Sequence, residues 1–84
     1  MDTFNLLINE QLKTMDKLLF LQSEIERCQD IERDLIDLED KTELTSIQEE
    51  IDKMKIELRQ IQRMFELQTE EVIRTYQDKK QPIA

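Results

Sequence analysis

The sequence predicts an all-α protein, an antiparallel helical hairpin (coiled coil) that dimerises into a four-helix bundle. Three observations carry that prediction. The 84 residues include no glycine, tryptophan or histidine and only one proline, while 38% are charged. Charged and polar helix formers in that proportion mark long helices or coiled coils. Apolar residues recur at heptad spacing through both halves of the chain. The two heptad phases do not run into each other, so a turn is needed for both stripes to meet.

The first helix is expected over about residues 3–39. Its a and d positions are Phe4, Leu7, Gln11, Thr14, Leu18, Leu21, Ile25, Cys28, Glu32 and Leu35. Ile8, Leu12, Met15, Leu19 and Ile36 widen the stripe on its flank. A wide stripe suits a helix that touches more than one neighbour, whereas a strict a/d seam suits a two-stranded coil. Ile31 and Leu38 fit this register badly, because the periodicity slips after Cys28.

The turn is expected at about residues 40–44. Leu35 and Leu44 are nine residues apart, which places them on roughly opposite sides of one continuous helix at about 100° per residue. The run Glu39-Asp40-Lys41-Thr42-Glu43 is the most polar stretch in the middle of the chain. Beyond it, Thr45-x-x-Gln48 and Ser46-x-x-Glu49 both match the capping box that satisfies orphan amides at a helix start. The usual glycine C-cap is missing. The competing arrangement is therefore one uninterrupted rod of about 115 Å.

The second helix is expected over about residues 45–79. Leu44, Ile51, Leu58, Phe65 and Val72 fill its a positions, and Ile47, Met54, Ile61, Gln68 and Thr75 its d positions. Eight of those ten are apolar, a strong coiled-coil pattern. Ile56, Leu67 and Ile73 lie off the stripe. The two helices form one domain, residues 1–79, and Pro82 marks residues 80–84 as a frayed tail.

A turn near residue 43 pairs positions whose numbers add to about 86. Leu35 then faces Ile51, Cys28 faces Leu58, Ile25 faces Ile61 and Leu21 faces Phe65. Toward the open end the layers turn polar, with Leu18 against Gln68 and Gln11 against Thr75. A polar layer costs stability but can fix register and oligomer state. One partner helix cannot cover both flanks of the first helix. Ile8, Leu12, Met15 and Leu19 are left over, so a two-fold homodimer is expected, with docking on a different protein as the alternative.

Composition narrows the function. Twenty acidic and 12 basic residues give a net charge of −8. No basic stripe is available to displace counterions from nucleic acid, and an anionic membrane surface is disfavoured by the same sign. Residues 1–41 carry 11 acids and 5 bases, and residues 42–84 carry 9 and 7, so the first half holds −6 of the charge. The longest apolar run, Leu18-Leu19-Phe20-Leu21, is too short to cross a bilayer. No signal peptide is visible and the lone Cys28 has no partner for a disulfide, so a cytoplasmic protein is expected.

Chemical sites are scarce. Without histidine, di-iron bundle chemistry loses its ligands. Glu32, placed beside Met54, is expected to rotate toward solvent. Asp30, Glu32 and Asp34 alternate on a helix without a glycine, unlike a calcium loop. Cys28 sits among acids rather than the bases that activate a thiol, so it is read as a small core residue. The four methionines are core fillers before they are a binding surface. No cofactor, metal or catalytic residue is expected. The residues expected to carry function are interaction residues: Ile8, Leu12, Met15 and Leu19 on the first helix, and Leu44, Ile47, Ile51, Met54, Leu58, Ile61, Phe65 and Val72 on the second.

Two segments, Thr14-Met15-Asp16-Lys17-Leu18-Leu19 running on to Ile25-Glu26-Arg27-Cys28-Gln29, and Glu70-Glu71-Val72-Ile73-Arg74-Thr75-Tyr76-Gln77, resemble the YgaB-like proteins, short chains from Bacillus-type bacteria. The resemblance covers most of the chain and implies no chemistry. A second likeness is to the small helical-hairpin phosphatases of sporulating bacteria, which act on phosphorylated response regulators. Their second helix opens on a Ser-Gln-x-x-Asp-type motif. Ser46-Ile47-Gln48-Glu49-Glu50-Ile51-Asp52 occupies a similar place, with extra residues between Ser46 and Asp52. The expected function is thus a non-enzymatic protein–protein interaction module, with a response-regulator phosphatase or regulator as the alternative.

Overall fold

The computed structural model describes residues 2–80, and within them the chain is two helices joined by a tight turn. Helix α1 spans Thr3–Asp37 and α2 spans Lys41–Lys80. They pack against each other as an antiparallel hairpin with a longest extent of 70 Å and a cross-section of 16 × 15 Å. An uninterrupted helix of this length would measure about 115 Å, so the rod is excluded. The chain is all-α, with no strand among the described residues. Of the tail expected at residues 80–84, Lys80 is the last residue of α2, and residues 81–84, with Pro82, lie outside the described residues.

Capping explains where each helix begins. Asp2 has extended backbone (φ −80°, ψ 126°), and its carboxylate accepts from the Phe4 amide at 3.1 Å. One of the four orphan N–H groups of the α1 start is thereby satisfied. Asp40 repeats the device for α2, its Oδ1 accepting from the Glu43 amide at 3.2 Å. Its carbonyl accepts from the Leu44 amide at 3.0 Å, the first bond of the α2 ladder.

This corrects the expected boundaries. α2 starts at Lys41 rather than 45, and α1 ends at Asp37 rather than 39. Thr45 and Ser46 do not cap. The Thr45 hydroxyl instead donates to the Lys41 carbonyl at 3.0 Å inside the helix. Asp40 wins because it is the first good N-cap residue after the α1 end, and a helix that can start four residues earlier gains four more backbone hydrogen bonds.

The turn solves the missing-glycine problem with a glutamate. Glu39 adopts the left-handed region at φ 57°. Its amide donates to the Ile36 carbonyl, and the Asp40 amide donates to the Leu35 carbonyl, each at 3.1 Å. This pair of crossed bonds is the Schellman termination, in which the left-handed residue is most often glycine. A side chain in that conformation costs about 1–2 kcal/mol. Two satisfied carbonyls and the Asp40 cap hold it there.

The earlier turn resets the register. Phe4 and Tyr76 stack with ring centroids 5.8 Å apart, and the Gln11 amide donates to the Thr69 hydroxyl. The residue numbers of each pair, 4 with 76 and 11 with 69, add to 80 rather than 86. The expected layers Leu35–Ile51, Cys28–Leu58, Ile25–Ile61 and Leu21–Phe65 therefore slide by close to two turns. Cys28 and Ile25 come level with the Ile51 and Met54 region instead. Leu21, Ile25, Cys28, Ile51 and Met54 form the buried core, with Ile47, Leu58 and Ile61 packed against it. The a/d faces assigned from the sequence remain the faces that meet, because a slide of close to one heptad leaves the seam in place.

Candidate functional site

The surface of interest is built from what the hairpin seam leaves uncovered. A heptad helix that gives its a and d positions to one neighbour keeps its e and b positions turned about a quarter-turn away. In α1 those positions are Ile8, Leu12, Met15 and Leu19. Leu12, Met15 and Leu19 are exposed, at 53%, 40% and 57%, and Ile8 is partly buried. Ile8, Leu12 and Met15 line an open groove of about 330 Å³ with Gln11, and α2 contributes Phe65 and Thr69 to it. Leu19, four residues further along α1, is exposed and lies outside the lining of that groove.

The second-helix residues named with it serve a different purpose. Ile51 and Met54 are buried in the hairpin core, and Ile47, Leu58 and Ile61 pack against that core. Leu44 and Val72 are partly buried at the same a positions. Those seven face α1 within one chain. Only Phe65 joins the flank of α1.

A polar band lies beneath the groove. Thr14 is buried, and its hydroxyl donates to the Glu10 carbonyl at 3.1 Å. Thr69 accepts from Gln11 and donates to the Phe65 carbonyl at 2.9 Å. The Oε1 of Gln68 is buried without a hydrogen-bond partner. The polar end expected from Gln11, Gln68 and Thr75 is rearranged, with Gln11 meeting Thr69 and not Thr75. Thr69 escaped notice because it sits at an e position, and only the register of 80 brings it opposite Gln11.

The opposite edge of the seam carries a second groove, of about 660 Å³. Phe20 and Met64 flank it, Leu21, Met54 and Ile61 floor it, and Glu24, Glu50, Glu57 and Lys17 rim it. Phe20 is 67% exposed, more than any residue of the opposite flank. Sequence patterning passed over it because its neighbours Leu18, Leu19 and Leu21 read as one short apolar run. The Arg27 guanidinium hydrogen-bonds Glu24 at 2.8 Å and holds that carboxyl below the ordinary value, with its charge adding to the effect. The same contact raises Arg27 above its own ordinary value. The ion pairs Lys13–Glu10, Arg27–Glu24, Arg33–Asp30, Arg63–Glu66 and Arg74–Glu71 each join residues three apart in one helix. Pairs of that kind stiffen a helix slightly and do not set the register between helices.

Other candidates resolve simply. Cys28 is buried and free in the core. Met54 is a core filler, whereas Met15 and Met64 are exposed at the two grooves; Met1 lies outside the described residues. Glu32 is partly buried. No group of three or more Cys, Asp or Glu side chains is placed to hold a metal among the described residues. Ser46 and Asp52 are both exposed, six residues apart within α2. That spacing turns them about 120° from each other. With α2 starting at Lys41, the segment lies inside the helix rather than at its opening. No helix among the described residues is long and apolar enough to cross a membrane.

Two long helices, a tight acidic turn and an uncovered apolar flank define a small all-α hairpin. Residues 3–79 match the family model of the YgaB-like proteins, and the chain belongs to that family. It is 50% identical over 82 residues to a Bacillus subtilis (strain 168) protein named uncharacterized protein YgaB, covering 98% of this chain and 72% of that one. No solved structure matches it.

Proposed function

We propose that the hairpin is a non-enzymatic protein–protein interaction module, a small cytoplasmic scaffold or regulator that works by presenting a helix face. The observation that carries this is the flank of Ile8, Leu12, Met15 and Leu19, apolar and solvent-facing beside a ready-made groove. Exposed contiguous apolar surface on a small protein marks a contact site. The flank takes an amphipathic helix, laid alongside α1 in the manner of a third bundle member. Its partner is another helical surface, from a second copy or another protein, and neither nucleic acid nor a lipid surface suits the net charge of −8.

The test is a comparison of immobilised wild-type chain with Leu12→Glu in Leu19→Glu background as baits in extract of the native host. Wild type is expected to retain proteins that the double variant loses. Identical captured sets from both would overturn the flank as the working surface. The absence of enzymatic action is tested with response regulators phosphorylated by acetyl phosphate. Their dephosphorylation is expected to run at the same rate with and without the protein, and acceleration that disappears in Asp52→Ala would make it an enzyme.

A further inference from the structure

Resting on that interaction reading, we infer that the occupant of the α1 flank is a second copy of this chain, docked antiparallel about a two-fold axis level with residues 13 and 14. The argument begins with spacing. Ile8, Leu12, Met15 and Leu19 are separated by four, three and four residues. That pattern reads the same in both directions. An antiparallel copy therefore sets Ile8 against the partner's Leu19 and Leu12 against the partner's Met15, with residue numbers adding to 27 in each layer. A self-complementary patch is what an isologous two-fold interface requires.

Charge points the same way. Between Asn5 and Gln22, the b, e and f positions of α1 number eight, and Asp16 is the one charged residue among them. The chain as a whole is 38% charged. Depletion of charge at the centre of a surface is the compositional mark of an interface core. Two copies of a chain at −8 repel each other, and the α1 half of the face on which they meet is nearly free of charge.

The hairpin then places α2 usefully. The flank of α1 lies about a quarter-turn from the face that meets α2, so a copy on it completes a square bundle, with α1 against its mate and α2 against its own. Residues of α1 and α2 at one level add to 80, and the two-fold relates α1 levels that add to 27. Levels of α2 related by the axis consequently add to 133. Arg63 falls level with the partner's Glu70. Both occupy f positions, which flank an antiparallel contact made through b and e, so this pair of opposite charges meets at the rim while Glu66, at b, approaches its own copy near the axis. In one chain Arg63 reaches only Glu66, at 3.3 Å.

The size is adequate. Layers adding to 27 overlap α1 from residue 3 to about residue 24, a length of about 33 Å. Two helices side by side are about 20 Å wide, so each copy buries about 650 Å² and the dimer about 1,300 Å². That exceeds the ~1,000 Å² a specific interface needs. The turns project at opposite ends.

Nitroxide labels decide the arrangement, each placed singly in the full chain with Cys28→Ala. In the antiparallel dimer a residue and its copy are separated along the bundle by 1.5 Å for each unit by which twice its number departs from 27. Labels at Lys13→Cys are expected about 25 Å apart, set by the bundle width, and labels at Arg33→Cys about 60 Å apart. Short distances at both positions mean a parallel dimer, which overturns the two-fold but leaves the interaction module standing. A monomer at high concentration in sedimentation equilibrium overturns the second copy as occupant, and the bait comparison above then judges the module separately. Leu12→Glu is expected to raise the dimer Kd at least tenfold while helix content is kept, because Leu12 is outside the hairpin core. Leu38→Glu, at an exposed turn residue, is the control and is expected to leave Kd unchanged. Equal Kd for Leu12→Glu and wild type would also overturn the assignment.

Discussion

Glu39→Gly is expected to stabilise the protein, against the ordinary effect of glycine in a helical chain. Glu39 is held at φ 57°, the left-handed region. Releasing a β-carbon from that conformation returns about 1–2 kcal/mol. Glycine also widens the freedom of the unfolded chain, which takes back about 0.4–1 kcal/mol. The net gain is about 0.5–1 kcal/mol, or roughly 2–8 °C in Tm for a domain of this size. Removing the charge contributes little, because Glu39 lies between the C-terminus of α1, whose dipole disfavours an acid, and the N-terminus of α2, whose dipole favours one. Glu39→Gln separates the two effects by removing the charge and keeping the β-carbon. The assay is thermal and urea unfolding followed by circular dichroism, at one protein concentration so that self-association does not shift the midpoint. Gln is expected to match wild type and Gly to exceed it. If residue 39 were inside a continuous helix, Gly would instead cost up to about 1 kcal/mol. A lowered midpoint for Glu39→Gly would therefore refute the turn.

Other substitutions probe the remaining elements. Asp40→Ala removes the acceptor of the Glu43 amide and is expected to cost about 1 kcal/mol in urea unfolding. Ile51→Ala, at the least exposed core position, is expected to cost about 2–4 kcal/mol. Gln68→Leu removes a buried oxygen that has no partner and is expected to stabilise by about 1–2 kcal/mol, read from the same curves. Arg27→Ala takes away the hydrogen bond that lowers the Glu24 pKa, so Glu24 is expected to titrate at higher pH in an NMR titration. A carboxyl with a lowered folded-state pKa adds stability above its unfolded pKa and loses it as pH falls through the folded value. The stability that this pair contributes above the unfolded pKa of Glu24 should accordingly disappear in the variant.

The helices were legible in the sequence because heptad spacing is local. Leu44 through Val72 at a and Ile47 through Ile61 at d define the α2 face without knowledge of its neighbour. The flank of Ile8, Leu12, Met15 and Leu19 was legible for the same reason. The turn was not. Three candidate caps lie within seven residues, and the choice of Asp40 over Thr45 or Ser46 depends on Glu39 accepting a left-handed conformation. Sequence rules assign that conformation to glycine, and this chain has none. Misplacing the turn by about three residues carried every layer with it. Gln11 was consequently paired with Thr75, and Thr69 was missed. Phe20 and Met64 were missed as a groove because each lies off its own stripe, and only packing brings them to one edge.

The hairpin in its register of 80 underlies both the flank and the symmetry proposed for it. The most direct measurement is the distance between nitroxide labels at Thr3→Cys and Gln77→Cys in a Cys28→Ala chain, diluted into unlabelled protein so that only distances within one chain are read. Both positions are exposed, and their numbers add to 80. The hairpin predicts a single distance of about 10–25 Å, the separation of packed helices plus two label arms. A continuous helix sets the same labels about 110 Å apart and gives no signal at short range. That result would contradict the account.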